Sequence, residues 1–170
     1  MIEKCFGIAG WKNSGKTTLV ANLVTEFTER GLVVSTIKHA HHAFDLDTPD
    51  TDSFKHRASG AQEVVLVSQN RWAIQHELRE QEEPGFAEMV SKLSPCDIVL
   101  VEGYKREPIP KIEIIGELDT QPRFLWKEDD MVKAIACDVE IAACALPRFS
   151  RNEVARIADG ILEILKVLPK

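Results

Sequence analysis

Residues able to do chemistry gather in three short stretches. Gly10-Trp11-Lys12-Asn13-Ser14-Gly15-Lys16-Thr17 matches the glycine, four residues, glycine-lysine-threonine pattern of a phosphate-cradling loop at every fixed position. Terminal glycines let backbone N–H groups curl around a phosphate, and a following helix N-terminus adds partial positive charge. The binding set expected from the pattern is Gly10, Lys12, Asn13, Ser14, Gly15, Lys16, Thr17 and Thr18. Lys16 reaches the outer phosphates and Thr17 places its hydroxyl on Mg²⁺. An ordinary glycine turn is the bland alternative, and a strand before and a helix after the motif argue against it.

The second stretch is Ile98-Val99-Leu100-Val101-Glu102-Gly103. Such a site needs an acidic residue at the end of a buried strand, near the hydration shell of the metal, and Glu102 stands there. Asp97 lies at the opposite end of the strand, about 16 Å away at ordinary strand rise, and reads as a strand or turn start. The third stretch, Lys38-His39-Ala40-His41-His42, leads into Asp45, Asp47, Asp50 and Asp52. Ligands of α/β sheets bind beyond the carboxyl ends of strands, so this loop should face the phosphate site. His39 and His41, two apart in an extended segment, would share a side and could hold a metal or a phosphate-bearing ligand, although a solvated loop explains the same run. No cysteine accompanies the cluster to favour zinc. His56 and Arg57 could contact an anion, whereas His76 reads as incidental.

Positioning these groups calls for a single domain, residues 1–170, of α/β class: a mostly parallel sheet flanked by helices, the P-loop NTPase fold, with an additional antiparallel portion. Apolar β-prone runs alternate with amphipathic stretches over the first hundred residues, the signature of β-α-β units. Strands are expected at 5–9, 32–38, 97–103, 111–115 and 132–137, and a hairpin at 63–68 and 71–76. Leu19, Val20, Leu23, Val24 and Phe27 mark a helix over 16–30 that stops at Gly31. Shorter helices are expected at 53–61 and 86–93. A terminal helix over 150–168 carries Ser150 and Glu153 at capping-box spacing.

Composition narrows the function. Lys plus Arg number 21 against 27 Asp plus Glu, a net charge of −6, which argues against duplex nucleic acid as partner but leaves room for one local phosphate pocket. The longest apolar runs fall far short of the ~18 to 20 residues of a membrane span, and the first residues lack the features of a signal peptide. Cys5, Cys96, Cys137 and Cys144 show no paired spacing and read mainly as small core residues in a reducing, cytoplasmic compartment. Trp72, Phe124 and Trp126 could stack on a base but fit a core as well. Lys127-Glu128-Asp129 is similar to the lysine-x-aspartate part of a guanine-reading motif, with Trp126 where asparagine or threonine is expected.

Taken together, the chain resembles the MobB family of molybdopterin-guanine dinucleotide biosynthesis adaptors, of the P-loop GTPase group, over nearly its whole length. The likeness rests on the 10–19 segment, Lys38-His39-Ala40-His41-His42, Asp45-Leu46-Asp47, Asp52-Ser53, His56-Arg57, Gly60-Ala61, Gln69-Asn70-Arg71-Trp72-Ala73, Val101-Glu102-Gly103-Tyr104-Lys105 and Pro110-Lys111-Ile112-Glu113. It implies GTP and Mg²⁺ binding, at most a slow GTPase activity, molybdopterin or its molybdenum cofactor as a second ligand, and a MobA-type nucleotidyltransferase as partner. It also implies a homodimer. Residue by residue, Gly15, Lys16 and Thr17 would serve phosphates and Mg²⁺, Glu102 the metal side, and His39, His41 and His42 the neighbouring loop. Ala43 and Gly116 depart from the family, where aspartate and a basic residue are frequent. The rival from another class is a small-molecule kinase, which shares the loop but calls for paired lid arginines, and the arginines here are dispersed.

Overall fold

The computed structural model describes residues 1–40, 44–116 and 123–168. Among the described residues there are eight strands: β1 (Cys5–Gly10), β2 (Val34–Lys38), β3 (Glu63–Val67), β4 (Trp72–His76), β5 (Ile98–Glu102), β6 (Lys111–Ile114), β7 (Val132–Ala136) and β8 (Arg148–Phe149). Six of them form one sheet in the order β2-β5-β1-β6-β7-β8, and every pairing in it is parallel. β3 and β4 form a separate antiparallel hairpin. The expected α/β class, parallel sheet and antiparallel addition are therefore all present. Contacts sort the chain into two units, Met1–His39 with Phe86–Lys170, and Ala40–Gly85.

In the larger unit, β1, β5 and β6 are buried at every position, as strands covered on both faces must be. One face packs Phe6, Ile8, Leu100 and Ile112 against Leu19, Leu23 and Phe27 of α1 (Lys16–Glu29) and Ile157, Ala158 and Ile161 of the terminal helix, Val154–Leu165. The other packs Cys5, Val99, Val101 and Ile109 against Phe86 and Val90 of the short helix Phe86–Ser91. Burial pushes the Cys5 thiol up to about 11, so it behaves as a small core residue, and all four cysteines are free. α1 ends where Gly31 foretold: Gly31 N–H donates to Thr28 O and Leu32 N–H to Phe27 O, the paired bonds of a Schellman stop. Among the described residues no helix is long and apolar enough to cross a membrane.

Several elements depart from the sequence expectation, among them the helices expected over 53–61 and 86–93, which end at Ala58 and Ser91. β2 starts at Val34 rather than residue 32, because Asp97 Oδ2 takes the Val33 N–H at 2.8 Å; this is the structural role expected of Asp97. The terminal helix starts at Val154, one turn later than the Ser150 signal. Only half of the capping box forms: Glu153 accepts the Ser150 N–H at 2.7 Å, while the Ser150 hydroxyl turns to Asp138 at 2.9 Å. The two-residue strand β8 was too short for any periodicity to reveal.

In the smaller unit, the helix Asp52–Ala58 supplies Arg57, which binds Asp47 at 2.7 Å, Asp45 at 3.0 Å and Glu77 at 3.4 Å. Arg57 thus organises the acidic loop internally and is not a free anion contact. The hairpin sets Val65 opposite Ile74 and Val67 opposite Trp72, and all four side chains are exposed.

A buried cation ties the turns beside β6 together. Lys111, wholly inaccessible, donates to Lys105 O at 2.9 Å, Glu107 O at 2.8 Å and Asp129 Oδ2 at 2.7 Å. Burial raises the Asp129 carboxyl, yet the Lys111 ammonium and the Met131 N–H outweigh it and hold the group below the usual aspartate range. Asp129→Ala strands the Lys111 charge and should cost about 3 kcal/mol in urea unfolding. The folded chain binds this proton less readily than the unfolded one, so the pair's contribution is full above the ordinary range. It fades as pH falls below about 4, and the gap between wild type and variant should shrink there. A gap unchanged across that range would contradict the assignment.

Candidate functional site

β1 feeds directly into the glycine-rich loop. Gly10 has φ 148°, and a Cβ there would stand 2.5 Å from Ile114 O and 2.6 Å from Ser14 Oγ, so the end of β6 closes on the loop and excludes any side chain. Asn13 takes a left-handed φ of 62°, Ser14 is buried, and Gly15 caps α1. The helix begins at Lys16 and leaves its first N–H groups without intrahelical partners. Lys16 Nζ folds back to donate to Trp11 O at 2.5 Å and Ser14 Oγ at 3.4 Å. Burial, then Lys105, pushes its ammonium below the usual lysine range; Lys38 adds to this while Glu102 opposes it. Gly116, the departure noted in sequence, backs the loop: a Cβ would lie 3.1 Å from Ser14 Cα.

Parallel register delivers the acidic partner. Ile8 of β1 and Lys38 of β2 both pair with Glu102 of β5. Thr17 Oγ1 donates to Glu102 Oε1 at 2.9 Å, and Lys38 Nζ lies 3.4 Å from the same oxygen. Thr17 and Glu102, eighty-five residues apart, are thus brought together as the sequence expected. Among the described residues no group of three or more His, Cys, Asp or Glu could hold a metal alone. A hydroxyl beside one buried carboxylate instead suits Mg²⁺, which takes few protein oxygens and completes its shell with phosphates and water.

Of the histidines, His39 is described and His41 and His42, with Ala43, lie outside the described residues. His39 N–H donates to Glu102 O at 2.9 Å, and its ring packs on Tyr104 at 4.8 Å between centroids, with the Phe86 ring 5.0 Å from that of Tyr104. Gly103, at φ 99°, permits this approach, because a Cβ would fall 2.9 Å from His39 O. His76 bonds Glu63 and Gln81 in its own unit, in line with an incidental role.

Sequence reasoning did not assign site roles to Trp11, Lys105 and Arg123. Lys105 Nζ lies 4.0 Å and Arg123 Cζ 5.0 Å from the Trp11 ring centroid, and the indole N–H donates to Arg123 O at 2.6 Å. Glu113 fixes the turn behind Arg123 by accepting the N–H groups of Leu125 at 2.8 Å and Trp126 at 2.9 Å. Burial pushes the Glu113 carboxyl above its usual range despite those two donors. Lys105 was visible only inside a family motif, and Arg123 sits on a loop with no periodic signal. The lysine-x-aspartate run is structural: Asp129 holds Lys111, and Lys127 lies over Phe124 and Trp126. Phe124 and Trp126 pack in a small apolar cluster, while Trp72 is exposed. A cleft of about 360 Å³ opens beyond β7 and β8 between Cys137, Asp138, Phe149 and Ser150; Arg151, bonded to Asp138, reaches to 3.8 Å from where a Gly15 Cβ would be.

A parallel sheet whose central strand passes through a glycine-rich loop into a helix, with a carboxylate on the adjacent strand, defines the P-loop class of α/β folds. Within that class the chain belongs to the MobB family, whose model, described as molybdopterin guanine dinucleotide synthesis protein B, matches residues 5–138. The molybdopterin-guanine dinucleotide biosynthesis adapter protein of Haemophilus influenzae is 37% identical over 157 residues, covering 91% of this chain and 85% of the relative. The Escherichia coli K12 protein of the same name is 35% identical over 158 residues, covering 91% and 89%. A crystal structure of molybdopterin-guanine biosynthesis protein B superposes with a TM-score of 0.73 at 28% identity, over 94% of this chain and 99% of that one.

Because the backbone of His39, just past β2, closes over Gly103, Gly103→Ala should destabilise the chain by about 1 to 2 kcal/mol, from left-handed strain and the clash with His39 O. Thermal unfolding monitored by circular dichroism measures this. A melting temperature equal to wild type would mean the two strand ends do not meet as described.

Proposed function

We propose that the chain binds GTP with Mg²⁺ on the 10–17 loop and acts in the cytoplasm as an adaptor in molybdopterin-guanine dinucleotide synthesis. In this role it assists a MobA-type nucleotidyltransferase that joins GMP to molybdopterin. The observation that carries the nucleotide reading is the 2.9 Å bond from Thr17 to Glu102 beside Lys16. A hydroxyl and a carboxylate in contact, with an ammonium close by, support a metal-bound phosphate chain at this loop. Family membership and the names of the relatives support the pathway.

Main-chain N–H groups of the loop and Lys16 would hold the phosphates, with Thr17 and Glu102 on the metal side, and Mg²⁺ would supply charge neutralisation between the outer phosphates. The base would lie in the cleft beyond β7 and β8. Glu102 is already engaged by Thr17 and Lys38, so it is a poor base for water, and hydrolysis without a partner should run well below about 1 s⁻¹. The exposed apolar pairs Val65–Ile74 and Val67–Trp72 support a homodimer, since a lone two-stranded hairpin is marginal in water.

Calorimetric titration with GTP and ATP, with and without Mg²⁺, tests the ligand. GTP should bind at least tenfold more tightly than ATP, about 1.4 kcal/mol, and Lys16→Ala should abolish binding; unaltered affinity in that variant would sink the reading. Glu102→Gln should remove most of the Mg²⁺ dependence while leaving the unfolding transition cooperative. For assembly, light scattering should report a dimer for wild type and a monomer for the Val67→Asp/Trp72→Arg double variant. An unchanged mass would place any interface elsewhere.

A further inference from the structure

Three cations converge on one residue of the loop. Lys16 donates to the Trp11 carbonyl, Lys105 sits 4.0 Å over the Trp11 ring, and Arg123 lies 5.0 Å from the same ring while its carbonyl takes the indole N–H. Several other cations of the larger unit are matched to carboxylates: Arg30 to Glu26 and Asp159, Lys111 to Asp129, Arg151 to Asp138, Arg156 to Glu153. Lys105 has no such partner among the described residues, in a chain where acidic residues outnumber basic ones by 27 to 21. Arg123 gives Nε and Nη2 to Glu128, which leaves Nη1 as a donor.

Lys105 is half-buried beside the exposed Arg123, and like charges held together cost free energy that a bound anion would recover. Burial, then Arg123, pushes the Lys105 ammonium below its usual range, with Glu113 opposing; Lys105 in turn depresses Lys16. The arrangement is built from below. Glu113 anchors the turn that follows Arg123, Lys111 anchors the Lys105 carbonyl, and the Trp11 ring offers both cations a face that does not neutralise them.

We propose that Lys105 and Arg123, gathered on Trp11 beside Lys16, form an anion site for a phosphoryl dianion. That dianion is either the terminal phosphate of the bound triphosphate or the phosphate of a separate phosphomonoester. The site deepens the nucleotide reading above and rests on it for the triphosphate source. Neither residue belongs to the glycine-rich pattern, and they come to Trp11 from two loops, one after β5 and one before β7.

The test is calorimetry on the full chain, comparing wild type, Lys105→Gln/Arg123→Gln and Lys92→Gln; Lys92 is exposed in the turn just past the helix Phe86–Ser91 and pairs with Glu88. Titrants are Mg-GTP, Mg-GDP, and inorganic phosphate added alone and after saturation with GTP. A tenfold or greater loss for GTP in the double variant, with GDP within twofold, assigns the site to the terminal phosphate. Phosphate binding to the GTP-saturated wild type, lost tenfold in the double variant while GTP affinity holds, assigns it to a separate phosphomonoester. Affinities within twofold of wild type for every titrant overturn the proposal, as does a loss shared equally by GTP and GDP or reproduced by Lys92→Gln, which would mark a diffuse charge effect. Should wild type bind neither nucleotide, the adaptor reading fails by itself. Phosphate alone then decides the anion site: binding that the double variant loses supports it, and no binding overturns it.

Discussion

The carboxylate of Glu102 receives the hydroxyl of Thr17, and the geometry around the loop follows from making that bond possible. Thr17 lies in the first turn of α1, whose start is fixed by the loop leaving β1. Glu102 ends β5, and parallel pairing brings Ile8 of β1 and Lys38 of β2 level with it. A register slip of one residue would turn the carboxylate to the other face of the sheet. The continuous burial of β1 and β5 resists such a slip, because each residue is packed on one of two covered faces. Gly10 and Gly103 then remove the side chains that would keep β6 from the loop and β2 from the end of β5.

Around that bond the molecule spends buried charge on position. Lys111 and Glu113 alternate with Ile112 and Ile114 on β6, and both are inaccessible. One satisfies two carbonyls and a carboxylate; the other satisfies two N–H groups of the turn after Arg123. Burying such groups is expensive unless each finds partners, and these do. The result holds two loops rigidly enough to bring Lys105 and Arg123 to Trp11 beside Lys16. A net-negative protein thereby presents a locally positive surface at its glycine-rich loop, the electrostatic condition for taking a phosphate ligand. The adaptor role proposed for the chain requires such a ligand to be held more than transformed, and a carboxylate already committed to Thr17 and Lys38 agrees with that.

Much of this was legible in the residues. The loop pattern, the strand that ends in Glu102, the hairpin and the stop at Gly31 all follow from local chemistry: glycine spacing, β-branched runs and a left-handed terminus. The MobB resemblance rested on local motifs of the same kind. What escaped was set by competition between distant groups. Ser150 and Glu153 spell a capping box, but Asp138 at the end of β7 draws the Ser150 hydroxyl away, and the helix starts a turn later. Arg57 and the aspartates before it looked available to a ligand, yet they neutralise one another.

The class of fold, the family and the loop that begins the site are legible without coordinates, because each is written in contiguous residues whose conformational preferences are local. The meeting of Lys105 and Arg123 at Trp11, the supporting roles of Glu113 and Lys111, and the hold of Lys111 on Asp129 emerge only when the chain is folded. Those outcomes depend on which groups a parallel sheet brings together across dozens of residues, and on the cost of burying a charge without a partner. Neither quantity has any expression in a short stretch of chain.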